Sequence, residues 1–369
     1  MSTGSRSAPV TVASSPQFFD SAHTRRIMWT VSAVLTPAAA WGVYVFGIHA
    51  FFVLFASIIA AVIGEGVMAR ILNRRTLRDG SAVLTGLMVG MTMPPAVPVY
   101  IPVVASLFAI IVVKWTFGGL GSNWMNPALA GRVFVYFSWT PAMTGWTMPS
   151  TLPQADAVSG ASMLGLIKQG LSGTGGHVGS PLRFLRDAGF PVSTTDTAVT
   201  DWLNQHVLHA LGFSIPGGYV DPFLGNIPGS IGEVSAALLL LGTVVLLARR
   251  IITWEIPASY FLSFALLTWV FGGARYGTGL FGGDILFQLF TGGFILGAFY
   301  MATDTVTTPL TSAGMLIYGG GAGILTFLIR FYGAVPEGVA LAIILMNVFT
   351  PLINRYTRPG RYGLSEGRR

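Results

Sequence analysis

Long apolar runs, separated by short polar stretches, dominate the hydropathy pattern of the chain. A bilayer core of about 30 Å requires about 20 mostly apolar residues for each crossing helix. By this measure the pattern predicts about ten membrane segments, some of them short or broken. They lie at 27–47, 50–72, 82–97, 99–117, 127–140, 231–250, 256–273, 283–303, 313–332 and 336–354.

Helix-breaking residues interrupt two of these segments. Pro94 and Pro95 would end the third, and Gly292 and Gly293 would loosen the eighth. Broken helices of this kind line binding sites in many transport proteins, although close packing of helices through Gly explains the glycines equally well. The predicted fold class is an all-α polytopic membrane protein.

Composition supports this prediction. Charged residues make up 9% of the 369 residues, against about 25% in an average soluble domain. The chain has no Cys, which excludes thiolate metal sites and Cys-held iron–sulfur clusters. The net charge of +7 comes from Lys and Arg in short loops, a pattern that sets membrane orientation and does not indicate nucleic-acid binding.

The distribution of basic residues predicts the orientation. With the N-terminus in the cytoplasm, most of the 21 Lys and Arg, including Lys114 and Arg132, fall on the cytoplasmic side. We therefore expect a multi-pass protein of the inner (cytoplasmic) membrane with both termini in the cytoplasm. Its regions are a cytoplasmic tail at 1–26, a first membrane repeat at 27–140, an extracytoplasmic loop at 141–230, a second repeat at 231–354 and a basic tail at 355–369.

The two membrane repeats share a short pattern. Asp79-Gly80 precedes a Thr-Gly pair at 85–86, and Gly283-Asp284 precedes another at 291–292. In the expected orientation Asp79 is cytoplasmic and Asp284 is external, so the halves run in opposite directions. This predicts a 5+5 inverted repeat with broken helices and a binding site near the midplane.

A polar segment inside the long external loop offers a candidate modification site. Gly160 and Ala161 precede the hydroxyl of Ser162, and Asp156 and Ser159 lie just upstream. We expect the hydroxyl to be accessible to a modifying enzyme, because its neighbours are small. The alternative is an ordinary Ser-Gly turn. Later in the loop, the His206–His209 spacing would suit a metal, but a solvated His pair explains it more simply.

Five polar residues within or beside the apolar segments are further candidates. Glu65 lies deepest in a segment, and an acid in a membrane is by default a candidate for an ion path. Glu233 and Asp304 lie at segment ends, where helix capping is an alternative. Asn123 and Asn126 precede the fifth segment, where their amides would either cap the helix or bind a planar ligand ring.

These motifs resemble a known family. The chain is similar to the D subunit of the Rnf complex and, less closely, to the B subunit of the sodium-pumping Nqr complex. Ser162 stands where the family usually has Thr, Thr305 stands where it often has Pro, and the external loop is longer than expected. The resemblance rests on the stretches 15–28, 77–81, 93–95, 118–129, 156–162, 225–233, 249–254 and 302–304.

The resemblance implies two flavins. Ser162, within the segment from Asp156 to Ser162, would carry FMN through a phosphoester that a flavin transferase installs. A second, non-covalent flavin similar to riboflavin would lie nearer the cytoplasmic side. We predict that its contacts are Asn123, Asn126 and Asp304. The protein would set the distance, hydrogen bonds and dielectric constant around the flavins, which perform the redox chemistry.

The resemblance further implies an electron-transfer subunit in the Rnf complex. Electrons would pass between ferredoxin and NAD through sibling subunits that carry iron–sulfur clusters and another covalent FMN, and the complex would pump Na⁺ or H⁺. The chain lacks a dinucleotide-binding fingerprint and should not act alone. Two alternatives remain: a B-type subunit of a Na⁺-pumping NADH:quinone oxidoreductase, and a small-solute channel or transporter.

Overall fold

The computed structural model describes residues 24–74, 76–152, 160–173, 178–212, 214–233 and 235–358. Within these ranges the chain is helical and has no β-strand, apart from an isolated bridge between Trp146 and Gly160. Asp156 and Ser159, predicted near the modification site, lie outside the described residues, as do most of the two terminal tails.

The helices follow the predicted segments closely. In chain order they are α1 (Thr24–Phe46), α2 (Ile48–Ile71), α3 (Ser81–Met91), α4 (Tyr100–Trp115), α5 (Pro127–Ser138), α6 (Thr140–Thr144), α7 (Met163–Gly173), α8 (Pro181–Asp187), α9 (Thr194–Leu203), α10 (Val220–Leu224), α11 (Ala236–Ala248), α12 (Glu255–Tyr276), α13 (Ile285–Phe290), α14 (294–301), α15 (Ser312–Tyr332) and α16 (Val339–Tyr356).

Five of these helices are long and apolar enough to cross a membrane: α1, α2, α12, α15 and α16. Helices also occur at the other five predicted positions, but they are shorter. The described helices therefore fit a multi-pass membrane protein, in which several segments are partial helices.

The two expected helix breaks are present. α3 ends at Met91, shortly before Pro94 and Pro95. α13 and α14 are separated by Gly292 and Gly293, whose φ angles of 65° and 67° lie in the left-handed region that favours glycine.

The guanidinium of the buried Arg330 compensates the second break. It donates hydrogen bonds to the carbonyl oxygens of Thr291 and Gly292, at 3.3 and 3.1 Å, and to that of Gln288. A cation at the carboxyl end of α13 satisfies carbonyls that no longer have a helical partner.

Glycine also brings helices close together within each half. A Cβ atom on Gly323 of α15 would lie 2.6 Å from the carbonyl oxygen of Tyr260 in α12, and one on Gly86 of α3 would lie 2.7 Å from Cα of Ile58 in α2. Close packing therefore explains these glycines.

The halves meet in one continuous hydrophobic core. Backbone hydrogen bonds join them where Ile231 N–H donates to the carbonyl of Met93 and Gly232 N–H donates to that of Met91. The segment after the first helix break therefore lies directly against the chain that leads into α11.

The external interval folds into several short helices, from α7 to α10. The carboxylate of the buried Asp196 accepts hydrogen bonds from the N–H groups of Gly218 and Asp221 and thereby fixes α9 against α10. His206 and His209 are exposed. No group of three potential metal ligands of the His, Cys, Asp or Glu type occurs in the part of the chain that the structure describes.

Candidate functional site

A cavity of about 80 Å³ lies between the two halves, and we call it the inter-half cavity. Its wall combines apolar side chains from α1, α3 and α11 with several polar ones. The polar lining residues are Ser81, Thr85, Lys114, Asn123, Asn126, Tyr300, Thr303, Asp304 and Thr305.

The three residues predicted to contact the second flavin all line this cavity, but they differ in function. Asn126 is the N-cap of α5: its side-chain oxygen accepts from the N–H groups of Ala128 and Leu129, and its amide nitrogen donates to the carbonyl of Met301, 3.1 Å away. The capping explanation is thus correct for Asn126. Because its amide oxygen and nitrogen are both engaged, Asn126 positions α5 against the second half.

Asn123 offers the free amide. Its side chain is buried, and its Oδ1 atom has no hydrogen-bond partner among the described residues. A buried polar oxygen without a partner is costly, so this atom is suited to accept a hydrogen bond from a ligand in the cavity.

Asp304 follows α14 and contributes a partly buried carboxylate. Its hydrogen bonds are long, at 3.3 Å from Val306 N–H and 3.5 Å from the Thr307 hydroxyl. Burial raises the pKa of this carboxyl. Because both hydrogen bonds to it are long, the side chain can still accept a further hydrogen bond.

Lys114 also lines the cavity, and the sequence analysis did not identify it as part of a site. The orientation count places Lys114 among the cytoplasmic charges, but its side chain is only 1% exposed. Its ammonium donates to Glu65 Oε2 at 2.9 Å and to the Ser81 hydroxyl at 2.7 Å. Trp115 Nε1–H donates to the same Glu65 oxygen at 2.8 Å. The one available signal was a lysine at the end of a long apolar run.

Ser162 lies in a different place and is less accessible than expected. It is only 8% exposed, and its hydroxyl oxygen accepts a hydrogen bond from the N–H of Gly165 at the start of α7. Paired hydrogen bonds between Trp146 and Gly160 hold the preceding chain. Ser162 nevertheless borders two cavities of about 20 and 240 Å³. We call these the Ser162 cavities; within the described residues they share no lining residue with the inter-half cavity.

A charged cluster surrounds the Ser162 cavities. Arg132 donates to Glu233 Oε1 at 2.7 Å and to Glu337 Oε2. Both carboxylates line these cavities. The orientation count also includes Arg132 among the cytoplasmic charges, but its side chain is buried here. A single guanidinium is therefore shared between two carboxylates.

Lys168 completes the cluster. It is half-buried on α7, lines the larger Ser162 cavity and donates to the carbonyl of Val335 at 2.7 Å. Over the described ranges it takes part in no ion pair. Burial lowers the pKa of Lys168 to about 8, with further lowering by the positive charges of Arg330 and Arg275. An anion in this cavity would therefore compensate an otherwise unpaired cation.

Comparison with known proteins gives consistent matches. The model of the NQR2, RnfD, RnfE family matches residues 11–363. The chain is 41% identical to the D subunit of the proton-translocating ferredoxin:NAD(+) oxidoreductase complex of Clostridium ljungdahlii, covering 96% of each chain. It is 36% identical to the D subunit of the Na(+)-translocating ferredoxin:NAD(+) oxidoreductase complex of Acetobacterium woodii, covering 97% of this chain and 96% of the relative. It is 38% identical to the D subunit of the ion-translocating oxidoreductase complex of Stutzerimonas stutzeri, covering 92% of each.

Proposed function

Since the chain belongs to the NQR2, RnfD, RnfE family, we propose that it is the flavin-carrying membrane subunit of an ion-translocating ferredoxin:NAD⁺ oxidoreductase complex. The names of its relatives, which it matches over nearly its whole length, agree with this function. The observation that carries the flavin part is the position of Ser162, at the start of α7 and on a cavity whose Lys168 has no ion-pair partner among the described residues.

Ten membrane segments in two inverted halves form the proposed topology, with both termini in the cytoplasm and the interval 141–230 outside. Two pairs of equivalent residues support it. Asp79 and Asp284 each accept a backbone N–H at the start of the third helix of their half, at 2.8 and 3.0 Å. Lys114 and Arg330 each lie in the last turn of the fourth segment of their half, on α4 and α15, and each is buried.

The proposed orientation keeps its support after Lys114 and Arg132 are removed from the count. Exposed arginines still lie at the ends of segments that would face the cytoplasm, and such charges hold the flanking loops on that side. They are Arg70, Arg74, Arg249, Arg250 and Arg355.

Covalent FMN at Ser162 fits the side chains around it. In the proposed maturation, the Ser162 hydroxyl oxygen forms a bond to the FMN phosphorus of FAD, the pyrophosphate bond breaks, AMP leaves with the bridging oxygen, and the hydroxyl proton passes to the leaving phosphate. The resulting phosphodiester has one negative charge. Lys168 would pair with that charge, and the N-terminal N–H groups of α7 favour a phosphate for the same electrostatic reason. Gly160 and Ala161, beside the attachment point, leave space next to the ester.

The proposed second, non-covalent flavin of the riboflavin type would bind in the inter-half cavity. The pyrimidine edge of a flavin presents both donors and acceptors. Asn123 Oδ1 and the Asp304 carboxylate offer acceptors on the cavity wall, and the apolar side chains of α1 and α3 suit the flat ring. Asn126 would act by fixing the helix that carries this wall.

The two flavin sites would form a relay in which electrons cross from one side of the membrane to the other. Partner subunits would supply the iron–sulfur clusters, another covalent FMN and the NAD site, and lipid would surround the exposed apolar helices. Glu65 stays a candidate for the ion path, but its ion pair with Lys114 also makes it the partner of a buried cation.

The decisive experiment is intact-mass spectrometry of the denatured chain from its own host, with in-gel fluorescence beside it. The expected mass exceeds the sequence mass by one FMN less one water. Ser162→Ala should abolish the increase, and Ser162→Thr should retain it because the hydroxyl acceptor is kept. An unmodified wild-type mass from a host with an active flavin transferase would contradict covalent attachment and favour the transporter alternative.

A further inference from the structure

The most enclosed ion pair among the described residues lies on the wall of the inter-half cavity. Lys114 and Glu65 are 1% and 0% exposed, and Lys114 and Ser81 both line the cavity. The Ser81 hydroxyl donates in turn to Asp79 Oδ1 at 2.6 Å, so a hydrogen-bonded chain connects the turn before α3 with the interior.

This ion pair is poorly explained by stability alone. Removing two charges from water carries a desolvation penalty that a buried pair often fails to recover, and well-packed apolar residues are commonly at least as stable. Local geometry instead favours a fixed cation. Hydrogen bonds from three helices hold the two charges in place: the Ser81 hydroxyl on α3 accepts from the ammonium, and the Trp115 indole on α4 donates to the Glu65 carboxylate on α2. The ammonium has three N–H donors and uses two of them in the described hydrogen bonds.

We propose that Lys114 sets the reduction potential of the flavin in the inter-half cavity and that Glu65 is the positioning residue that holds Lys114 there. The inference rests on the proposed second flavin. Two-electron, one-proton reduction adds one negative charge to a flavin. A fixed ammonium on the cavity wall stabilises that charge, so it favours the reduced over the oxidised ligand. The Glu65 carboxylate, next to the ammonium, partly cancels this effect.

The proposal predicts changes of opposite sign at two residues in direct contact. Lys114→Met removes the cation, so the preference for reduced flavin should fall. Glu65→Gln keeps the cation and removes the opposing charge, so the preference should rise. A merely structural function would move both variants in the same direction, because each variant disturbs the same buried contact.

The test uses the full-length chain with Ser162→Ala, so that added riboflavin is its only flavin. Dissociation constants are measured anaerobically for oxidised and for dithionite-reduced riboflavin, and their ratio gives the preference. We expect Lys114→Met to lower the preference for reduced riboflavin about tenfold, which corresponds to about 30 mV for a two-electron couple. Glu65→Gln should raise it, and Lys114→Arg should restore most of the wild-type ratio.

Two further variants control for folding and for general charge effects. The double variant Glu65→Gln with Lys114→Met leaves no unpaired buried charge, and its ratio should lie between those of the single variants. Arg183→Met removes an exposed cation on α8 and should leave the ratio unchanged.

Each outcome decides a different point. The inference would be overturned if Lys114→Met and Glu65→Gln both kept the wild-type ratio of dissociation constants, or if both shifted it in the same direction. Either result would leave the second flavin site standing. Failure of the Ser162→Ala chain to bind riboflavin would overturn that site together with this inference. Neither result would affect the mass measurement at Ser162.

Discussion

The two cavity regions both contain a buried cation, but the cations are neutralised differently. In the inter-half cavity, Lys114 is paired with the single carboxylate of Glu65, and the pair is closed to solvent. Around the Ser162 cavities, Arg132 is shared between Glu233 and Glu337, and Lys168 is left without a carboxylate among the described residues. In the first region the cation has its own carboxylate, whereas in the second Lys168 has no ion-pair partner among the described residues.

This difference matches the ligands proposed for the two regions. A riboflavin-type ligand has no phosphate and enters a site whose cation is already paired, so its binding depends on hydrogen bonds and apolar contacts. A phosphodiester at Ser162 has one negative charge, which the free Lys168 would neutralise. The arrangement of charge, more than cavity size, thus distinguishes the two regions.

The largest expected effect is a loss of stability, and it tests whether Arg132 stabilises the two carboxylates that share it. Arg132→Met would leave two buried carboxylates without their partner, and we expect it to lower the free energy of unfolding by about 3–5 kcal/mol. Unfolding of the detergent-solubilised protein measures the loss. The triple variant that also has Glu233→Gln and Glu337→Gln should recover most of this stability. If Arg132→Met leaves the free energy of unfolding unchanged, this guanidinium does not stabilise the cluster.

A smaller effect separates the two amides of the inter-half cavity. Asn126→Ala removes an N-cap and a hydrogen bond between the halves, and should lower the free energy of unfolding by about 1–2 kcal/mol. Asn123→Ala should leave stability nearly unchanged, because its amide oxygen has no partner in the described chain, but it should weaken riboflavin binding several-fold. Unfolding and riboflavin titration of both variants provide the comparison, and the reverse pattern would exchange their assigned functions.

The smallest expected effect concerns pH. The folded-state pKa of Lys168, about 8, lies below its ordinary value of 10.5, so the unfolded chain binds more protons between these values. Stability of the Ser162→Ala protein should therefore rise as pH increases from about 8 to about 10.5. Thermal unfolding against pH measures this slope, with Lys168→Met as the control that lacks it.

Flavin attachment should flatten the same slope, because a phosphodiester beside Lys168 favours the charged ammonium and raises its pKa. If the proteins with and without covalent FMN show the same dependence of stability on pH, the phosphate does not lie beside Lys168.

Local pattern was sufficient for much of this protein. The lengths of the apolar runs predicted where helices lie, because each crossing helix must bury its own backbone hydrogen bonds in the bilayer. Pro94, Pro95 and the Gly292-Gly293 pair marked the breaks, since these residues act on the backbone where they stand. The motifs also identified the family, which the match over residues 11–363 confirms.

Only the tertiary structure decided how the charges are used. Lys114 and Glu65 are 49 residues apart, and Arg132 is 101 and 205 residues from its two carboxylates. A count of basic residues along the chain treats every lysine and arginine alike, so it did not reveal that Lys114 and Arg132 are buried in ion pairs. Whether a charge is solvated, paired or left free for a ligand depends on which helices pack against it, and that packing joins residues that no local pattern connects.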